Sequence, residues 1–264
     1  MRLPIYQVDA FTDRLFGGNP AAVCPLETWL SDATMQAIAA ENNLAETAFF
    51  VRDGAGGADY ALRWFTPTVE VDLCGHATLA SGHVVFHFLE PQRQSVNFRT
   101  AKAGTLTVAR RSDLLIMDFP ARPATPIAPP ADLVAALGGK PSEVLRARDD
   151  LVVYGSAAEV AALKPDFAAL AALDCWAAIA TAPGENGVDF VSRFFAPKQG
   201  VPEDPVTGSS HCTLVPYWAK RLGKTQLEAR QISRRGGALS CALAGDRVSI
   251  AGRAVLYLEG QIEA

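Results

Sequence analysis

The sequence predicts an α+β fold of two pseudo-symmetric halves, each a sheet wrapped around one apolar helix. The first observation behind this is a repeat: RWFTPTVEVDLCGHATLASGH at 63–83 is echoed by RFFAPKQGVPEDPVTGSSH at 193–211. Both run Arg-aromatic-Phe-small-Pro, pass an acid (Asp72, Asp204), and reach a glycine (Gly75, Gly208) opening a helix of small residues. The second is that apolar residues elsewhere alternate with period two, the signature of half-buried strands. The third is PARPATPIAPPAD at 120–132, whose five prolines cannot donate to a ladder and favour an extended connector. The two echoes fall on either side of that connector, and each sheet needs one helix to cover its apolar face.

In chain order, strands are expected at Leu3–Phe11, Ala21–Pro25, Thr47–Arg52, Tyr60–Phe65, Val96–Thr100, Gly104–Ala109 and Leu114–Phe119. A second set is expected at Leu151–Tyr154, Cys175–Ala180, Val188–Phe195, Thr225–Gln231, Leu239–Leu243 and Arg247–Leu258. Besides the two helices opened by Gly75 and Gly208, Ser31 or Asp32 can cap a helix running to about Glu41. Ala131–Leu137 and Ala157–Leu173 are alanine-rich helical stretches, the second interrupted at Pro165. The domains are accordingly 1–119 and 133–264 around a linker at 120–132, with the last strand, near Val255–Ile262, free to return to the first domain.

Composition narrows the function. A chain of 264 residues that is 49% hydrophobic can bury a sizeable core. Its net charge of −4, with Lys and Arg scattered singly, lacks the basic field that nucleic acid requires. The N-terminal MRLPIYQVDAF has no apolar core of a signal peptide, and FAALAALDCWAAIATA is broken by Asp174 and too short to span a bilayer. Five cysteines without a CxxC pair suggest reduced thiols in a cytoplasmic protein and argue against a zinc site.

The repeated helix starts are the places to seek chemistry. Small residues let a backbone approach a ligand, and the first helical turn offers N–H groups and a positive dipole end to a carboxylate. Asp72, Cys74 and His76 stand beside one start, and Asp204, Thr207, Ser209 and His211 beside the other. In ENNLAETAFF, Glu46 sits where a loop enters an apolar strand, a partly desolvated setting suited to taking and returning a proton. Each has a plainer reading. Glu46 or either aspartate could cap a loop or helix, and His76 could bond a nearby carbonyl. His83 and His87 share a helical face but have no evident third metal ligand. Asp204, Ser209 and His211 are triad residue types, yet their spacing and the lack of a GxSxG elbow argue against a hydrolase.

Four ordered motifs, FGGNPAAVC, NNLAETAFF, RWFTPTVEVDLCGHATLASG and EDPVTGSSH, together resemble the PhzF family of phenazine-biosynthesis-like isomerases, over Val8 to about Tyr217. The resemblance implies a diaminopimelate epimerase-like fold: two alike domains, each a curled, mostly antiparallel sheet around a central helix, with a site between them and a homodimeric assembly. It also implies a catalytic set of Glu46 as proton shuttle with His76 and Asp204, and a substrate-binding set of Gly75, Gly208 and Ser209. The activity implied is proton transfer on a small carboxylate-bearing substrate, without metal or organic cofactor. Related two-thiol racemases carry a cysteine before each helix start. Here Cys74 precedes Gly75, but Thr207 precedes Gly208. A one-thiol epimerase or dehydratase using Cys74, or a non-catalytic small-acid-binding protein, are the alternatives.

Overall fold

A computed structural model describes residues 1–54 and 56–264. They form two compact units, residues 1–118 with 251–264, and residues 119–250.

The first unit opens with β1 (Arg2–Ala10), β2 (Asn19–Pro25) and α1 (Asp32–Asn42). Ser31 caps α1 through Oγ, which accepts from the Thr34 N–H, and Asn43 closes it in a left-handed conformation. Then follow β3 (Glu46–Arg52), β4 (Tyr60–Phe65), the short β5 (Glu70–Val71) and α2 (Gly75–Val84), which widens into a π turn at Val85–Leu89. β6 (Ser95–Arg99), β7 (Thr105–Arg111) and β8 (Leu114–Pro120) complete this run. β2 runs parallel to β3 and β4 parallel to β6, while β1–β2, β3–β4, β4–β5, β6–β7 and β7–β8 are antiparallel.

That sheet curls around α2, which packs on β1, β2, β3 and β7. Every residue from His76 to Val84 is buried, as a helix without a polar face must be. Gly82 permits the close approach, since a Cβ there would stand 2.7 Å from Val108 Cγ1. A second apolar cluster, with Met35, Ile38, Phe49 and Phe65, lies under α1.

The second unit repeats the order. β9 (Thr125–Ile127), α3 (Ala131–Leu137), β10 (Glu143–Arg146), β11 (Asp150–Val153), α4 (Ala157–Ala162) and α5 (Phe167–Ala172) lead into β12 (Ala178–Pro183) and β13 (Phe190–Ala196). A 3₁₀ turn, Pro197–Gln199, precedes β14 (Val201–Asp204), α6 (Gly208–Leu222), β15 (Gln226–Gln231), β16 (Gly237–Ala244) and β17 (Arg247–Gly252). β11 is parallel to β12 and β13 to β15, with β12–β13, β13–β14 and β15–β16 antiparallel, the same sequence of pairings as β2 through β7. β18 (Ala254–Glu263) returns to the first unit, where it pairs antiparallel with β1.

The echoed arginines have a structural reason. Arg63 Nε and Nη2 donate to the two Glu70 carboxylate oxygens, both at 2.7 Å. Arg193 does the same to Glu203, at 2.7 and 2.9 Å. Each guanidinium also lies over the aromatic two residues on, Phe65 at 5.1 Å and Phe195 at 4.9 Å. The repeated motif is therefore a clamp that fixes the short strand leading into each central helix. Arg193 additionally donates to the Val160 and Leu163 carbonyls, at 3.1 and 2.9 Å. Arg193→Ala is expected to cost about 3 kcal/mol, since it strands a half-buried carboxylate and two carbonyls. A urea midpoint lowered at constant slope checks this, and an unchanged midpoint contradicts the clamp.

Three sequence expectations are corrected. The first unit breaks within a residue of the expected 119, but there is no separate linker at 120–132: those residues belong to the second unit, where Thr125–Ile127 is a strand antiparallel to β10, with Pro126 on the edge where a proline is tolerated. The strand expected at Arg247–Leu258 is two, broken after Gly252, where a Cβ would meet Phe11 Cδ1 at 2.4 Å. The strand expected at Cys175–Ala180 begins three residues later, where Ala178 comes opposite Asp150.

Candidate active site

Three chain segments of the first unit meet at the start of α2. Asn43 turns the chain out of α1 with φ 47°, and Glu46 becomes the first residue of β3, opposite Ala21 of the parallel β2. Asn19 opens β2 after a tight Gly17–Gly18 turn. Gly18 has φ +60° and a Cβ would fall 2.1 Å from the Ala10 carbonyl oxygen, so only glycine fits. Cys74 is the N-cap of α2 in an extended conformation, and no side chain caps the helix. Gly75 and His76 then form its first turn, with unpaired N–H groups and a positive dipole end.

The side chains converge on the His76 imidazole. Its Nε2 lies 3.1 Å from Glu46 Oε2, with side-chain exposures of 7% and 16% for the two residues. This is an ion pair without hydrogen-bond alignment, and it leaves a buried Oε2 with no aligned donor. On the other side, Nδ1 is 3.2 Å from the amide nitrogen of the fully buried Asn19 and 3.5 Å from Cys74 Sγ. The side-chain heteroatoms of Glu46, Cys74 and His76 all lie within 4.8 Å of one another, the one such His/Cys/acid cluster among the described residues.

Electrostatics separates the roles. Burial works against the His76 imidazolium, but the neighbouring Cys74 and Glu46 groups outweigh it and hold His76 well above the ordinary histidine value. Burial, reinforced by the Glu46 carboxylate, pushes the Cys74 thiol up to about 11, against a smaller opposing pull from His76. The surroundings therefore favour the protonated form of His76 and keep the Cys74 thiol from ionising. A thiol in that state is a poor nucleophile and a poor base.

In the second unit, Thr207 is the N-cap of α6, also without a side-chain cap. Gln231 braces this turn: its Oε1 accepts from the Thr207 N–H at 2.8 Å and its Nε2 donates to the Asp204 carbonyl at 2.7 Å. The Thr207 hydroxyl donates to the Asp204 carboxylate. Gly208 is buried and Ser209 half-buried in the first turn. Asp204, Gly208 and Ser209 thus share one helix start, as Glu46, Gly75 and His76 share the other.

Two expected site residues lie elsewhere. Asp72 is 64% exposed and pairs with Lys102 at 2.8 Å, because β5 ends at Val71 and its next side chain points to water. His211 is fully buried, its Nδ1 bonded to the Thr207 carbonyl at 2.9 Å and its ring against Phe190 at 5.8 Å, which removes it from any triad. Sequence reasoning assigned no role to Asn19 or Gln231. For Asn19 the signal was the Gly-Gly-Asn-Pro turn. Gln231 ends an ordinary alternating strand and carries none.

A family model described as "Phenazine biosynthesis-like protein" (PhzC-PhzF) matches residues 8–260. A Pseudomonas aeruginosa protein described as an uncharacterised isomerase is 54% identical over 263 residues, covering 99% of each chain. The crystal structure of a PhzF-family protein of Enterococcus faecalis superposes with TM-score 0.96 at 47% identity, covering 100% of both chains. At 12% identity the fold alone extends to a hydroxyproline epimerase of Agrobacterium vitis, with TM-score 0.61 over 99% of this chain and 92% of that one.

Proposed function

Since this chain belongs to the phenazine biosynthesis-like PhzC-PhzF family and is an isomerase-type enzyme, we propose that Glu46 moves a proton on a small carboxylate-bearing substrate, from one carbon to another or between faces of one carbon. The observation that carries this reading is the buried Glu46 oxygen beside His76, at the head of an uncapped helix. The buried Oε2 has no aligned donor, which leaves it open to a proton from substrate, and the adjacent imidazolium stabilises negative charge as the carbanion-like transition state develops. The N–H groups at Gly75 hold the substrate carboxylate, which fixes the reacting carbon against Glu46. On the strength of the repeated motif, Asp204, Gly208 and Ser209 are assigned to substrate binding and polarisation in the same reaction.

No step in this reading draws on a cofactor. It includes a homodimer located in the cytoplasm, which light scattering and cell fractionation test. Among the described residues no helix is long and apolar enough to cross a membrane. The thiol alternative needs Cys74 to ionise against burial and a nearby carboxylate, the opposite of what its surroundings favour.

The test is ligand-detected binding of a library of small carboxylic and amino acids in deuterium oxide. Ligands that bind are expected to gain deuterium at carbon. Binding without incorporation supports a small-acid-binding protein instead, and labelling by a serine-directed fluorophosphonate supports a hydrolase.

A further inference from the structure

The reading above assigns Asp204 to the substrate but gives no task to Gln231, which is 1% exposed and uses its whole amide on one turn. Its Oε1 accepts from the Thr207 N–H at 2.8 Å. Its Nε2 donates to the Asp204 carbonyl at 2.7 Å and to the Thr207 hydroxyl oxygen at 3.2 Å. That hydroxyl in turn donates to the Asp204 carboxylate.

The direction of this chain is fixed at each link. An amide nitrogen only donates, so the Thr207 oxygen accepts there and its one proton is left for the carboxylate. Turning the amide over would set its N–H groups against the Thr207 N–H, so the orientation of Gln231 is determined as well. Hydrogen bonds in series polarise one another, and the amide thereby strengthens the bond from the hydroxyl to Asp204. Thr207 stands at the N-cap of α6, where a threonine hydroxyl ordinarily accepts from the helix. Here it makes no cap bond and turns back to Asp204 instead.

The remaining carbonyls of the turn are held too. Ser233 donates to the Pro205 carbonyl at 2.7 Å, and the Thr207 carbonyl accepts from Ser210 at 2.8 Å and from His211 Nδ1 at 2.9 Å. Gln231 ends β15 and Ser233 lies just beyond it, so the strand that follows α6 fastens the loop that precedes it. A carboxylate on a loop otherwise samples several rotamers, and a site residue is only as well placed as the shell that supports it.

We propose that Gln231 and Thr207 are positioning residues, which set the Asp204 carboxylate in one orientation before substrate arrives. Asp204 then meets a polar group of the substrate without first losing rotamer freedom. The inference rests on the assignment of Asp204 to substrate and is independent of which residue moves the proton.

The experiment uses the intact protein and, as probe, the acid of the library described above that binds the wild type most tightly. Thr207→Val keeps the side chain's shape, loses no cap bond and leaves both backbone bonds of Gln231 in place. Its Kd is expected to rise about tenfold, the cost of ordering one free side chain on binding. In an Asp204→Ala background the same change is expected to alter Kd less than about twofold, because residues acting through one group are not additive. Equal losses in the two backgrounds would mean that Thr207 only shapes the turn, and would overturn the proposal. So would wild-type affinity in Thr207→Val.

Gln231→Glu supplies a second readout where Asp204→Ala binds too weakly to measure. The introduced carboxyl can donate only while it is protonated, so affinity relative to the wild type should fall as the pH rises, with circular dichroism unchanged. A ratio that stays flat from pH 4.5 to 8 contradicts the chain. A probe that weakens in Thr207→Val but gains no deuterium with the wild type sinks the proton-transfer reading and leaves the positioning standing. Deuterium gained at an unchanged rate and affinity in Thr207→Val does the reverse.

Discussion

Glu46→Gln is expected to lower turnover about 10²–10⁴-fold while the protein remains folded. Glutamine keeps the side chain's length and shape, so β3 still pairs with β2 through Ala21 and position 46. What it lacks is a group that accepts and returns a proton. The loss corresponds to about 3–5 kcal/mol of transition-state stabilisation. It should fall on kcat with little change in KM, because the carboxylate acts on the reacting carbon and the helix start holds the substrate. An equal loss in KM would mean that Glu46 binds substrate rather than moving its proton. Circular dichroism and a urea midpoint near that of the wild type separate this result from misfolding.

The second large effect is loss of stability in mild acid. Burial lowers the His211 pKa from 6.5 to about 4, against the smaller opposing influence of its bond to the Thr207 carbonyl. Burial and the neighbouring His87 lower His83 to about 4 as well. For both, the folded value lies below the unfolded one, so the unfolded chain binds more protons between these values. The stabilisation is complete above about pH 6.5 and is lost as the pH falls toward 4. A shift of this size on the fully buried His211 is worth about 3 kcal/mol. Urea unfolding at a series of pH values should show the decline, and His211→Gln should make it shallower. A stability that is flat from pH 7 to 4.5 would contradict the buried neutral histidines.

The repeat was legible because its chemistry is local. An arginine that must reach a glutamate on the next short strand, and a helix start that must be small, leave the same residues in the same order twice. The central strands were legible because burial on one face forces alternation, and Tyr60–Phe65 and Ala131–Leu137 fall where that pattern and alanine content put them. What escaped depends on partners distant in sequence. Thr125–Ile127 is a strand only because Glu143–Arg146 lies beside it, and Pro126 with the prolines flanking it points the other way locally. In the site, Glu46 and His76 stood out by type and setting. Asn19 acts through a contact 57 positions along the chain, which no local pattern encodes. His211 misled because its sequence neighbours are polar, whereas α6 turns its ring inward onto Phe190.

The central claim, that the Glu46 carboxylate and not the Cys74 thiol carries the proton, is tested most directly by one comparison. The rate of solvent-deuterium incorporation into a ligand that the wild type exchanges is measured for Glu46→Gln and Cys74→Ser, side by side at the same pH. The account predicts that Cys74→Ser stays within about tenfold of the wild type while Glu46→Gln falls 10²–10⁴-fold. Exchange abolished in Cys74→Ser and retained in Glu46→Gln would contradict it and assign the chemistry to the thiol.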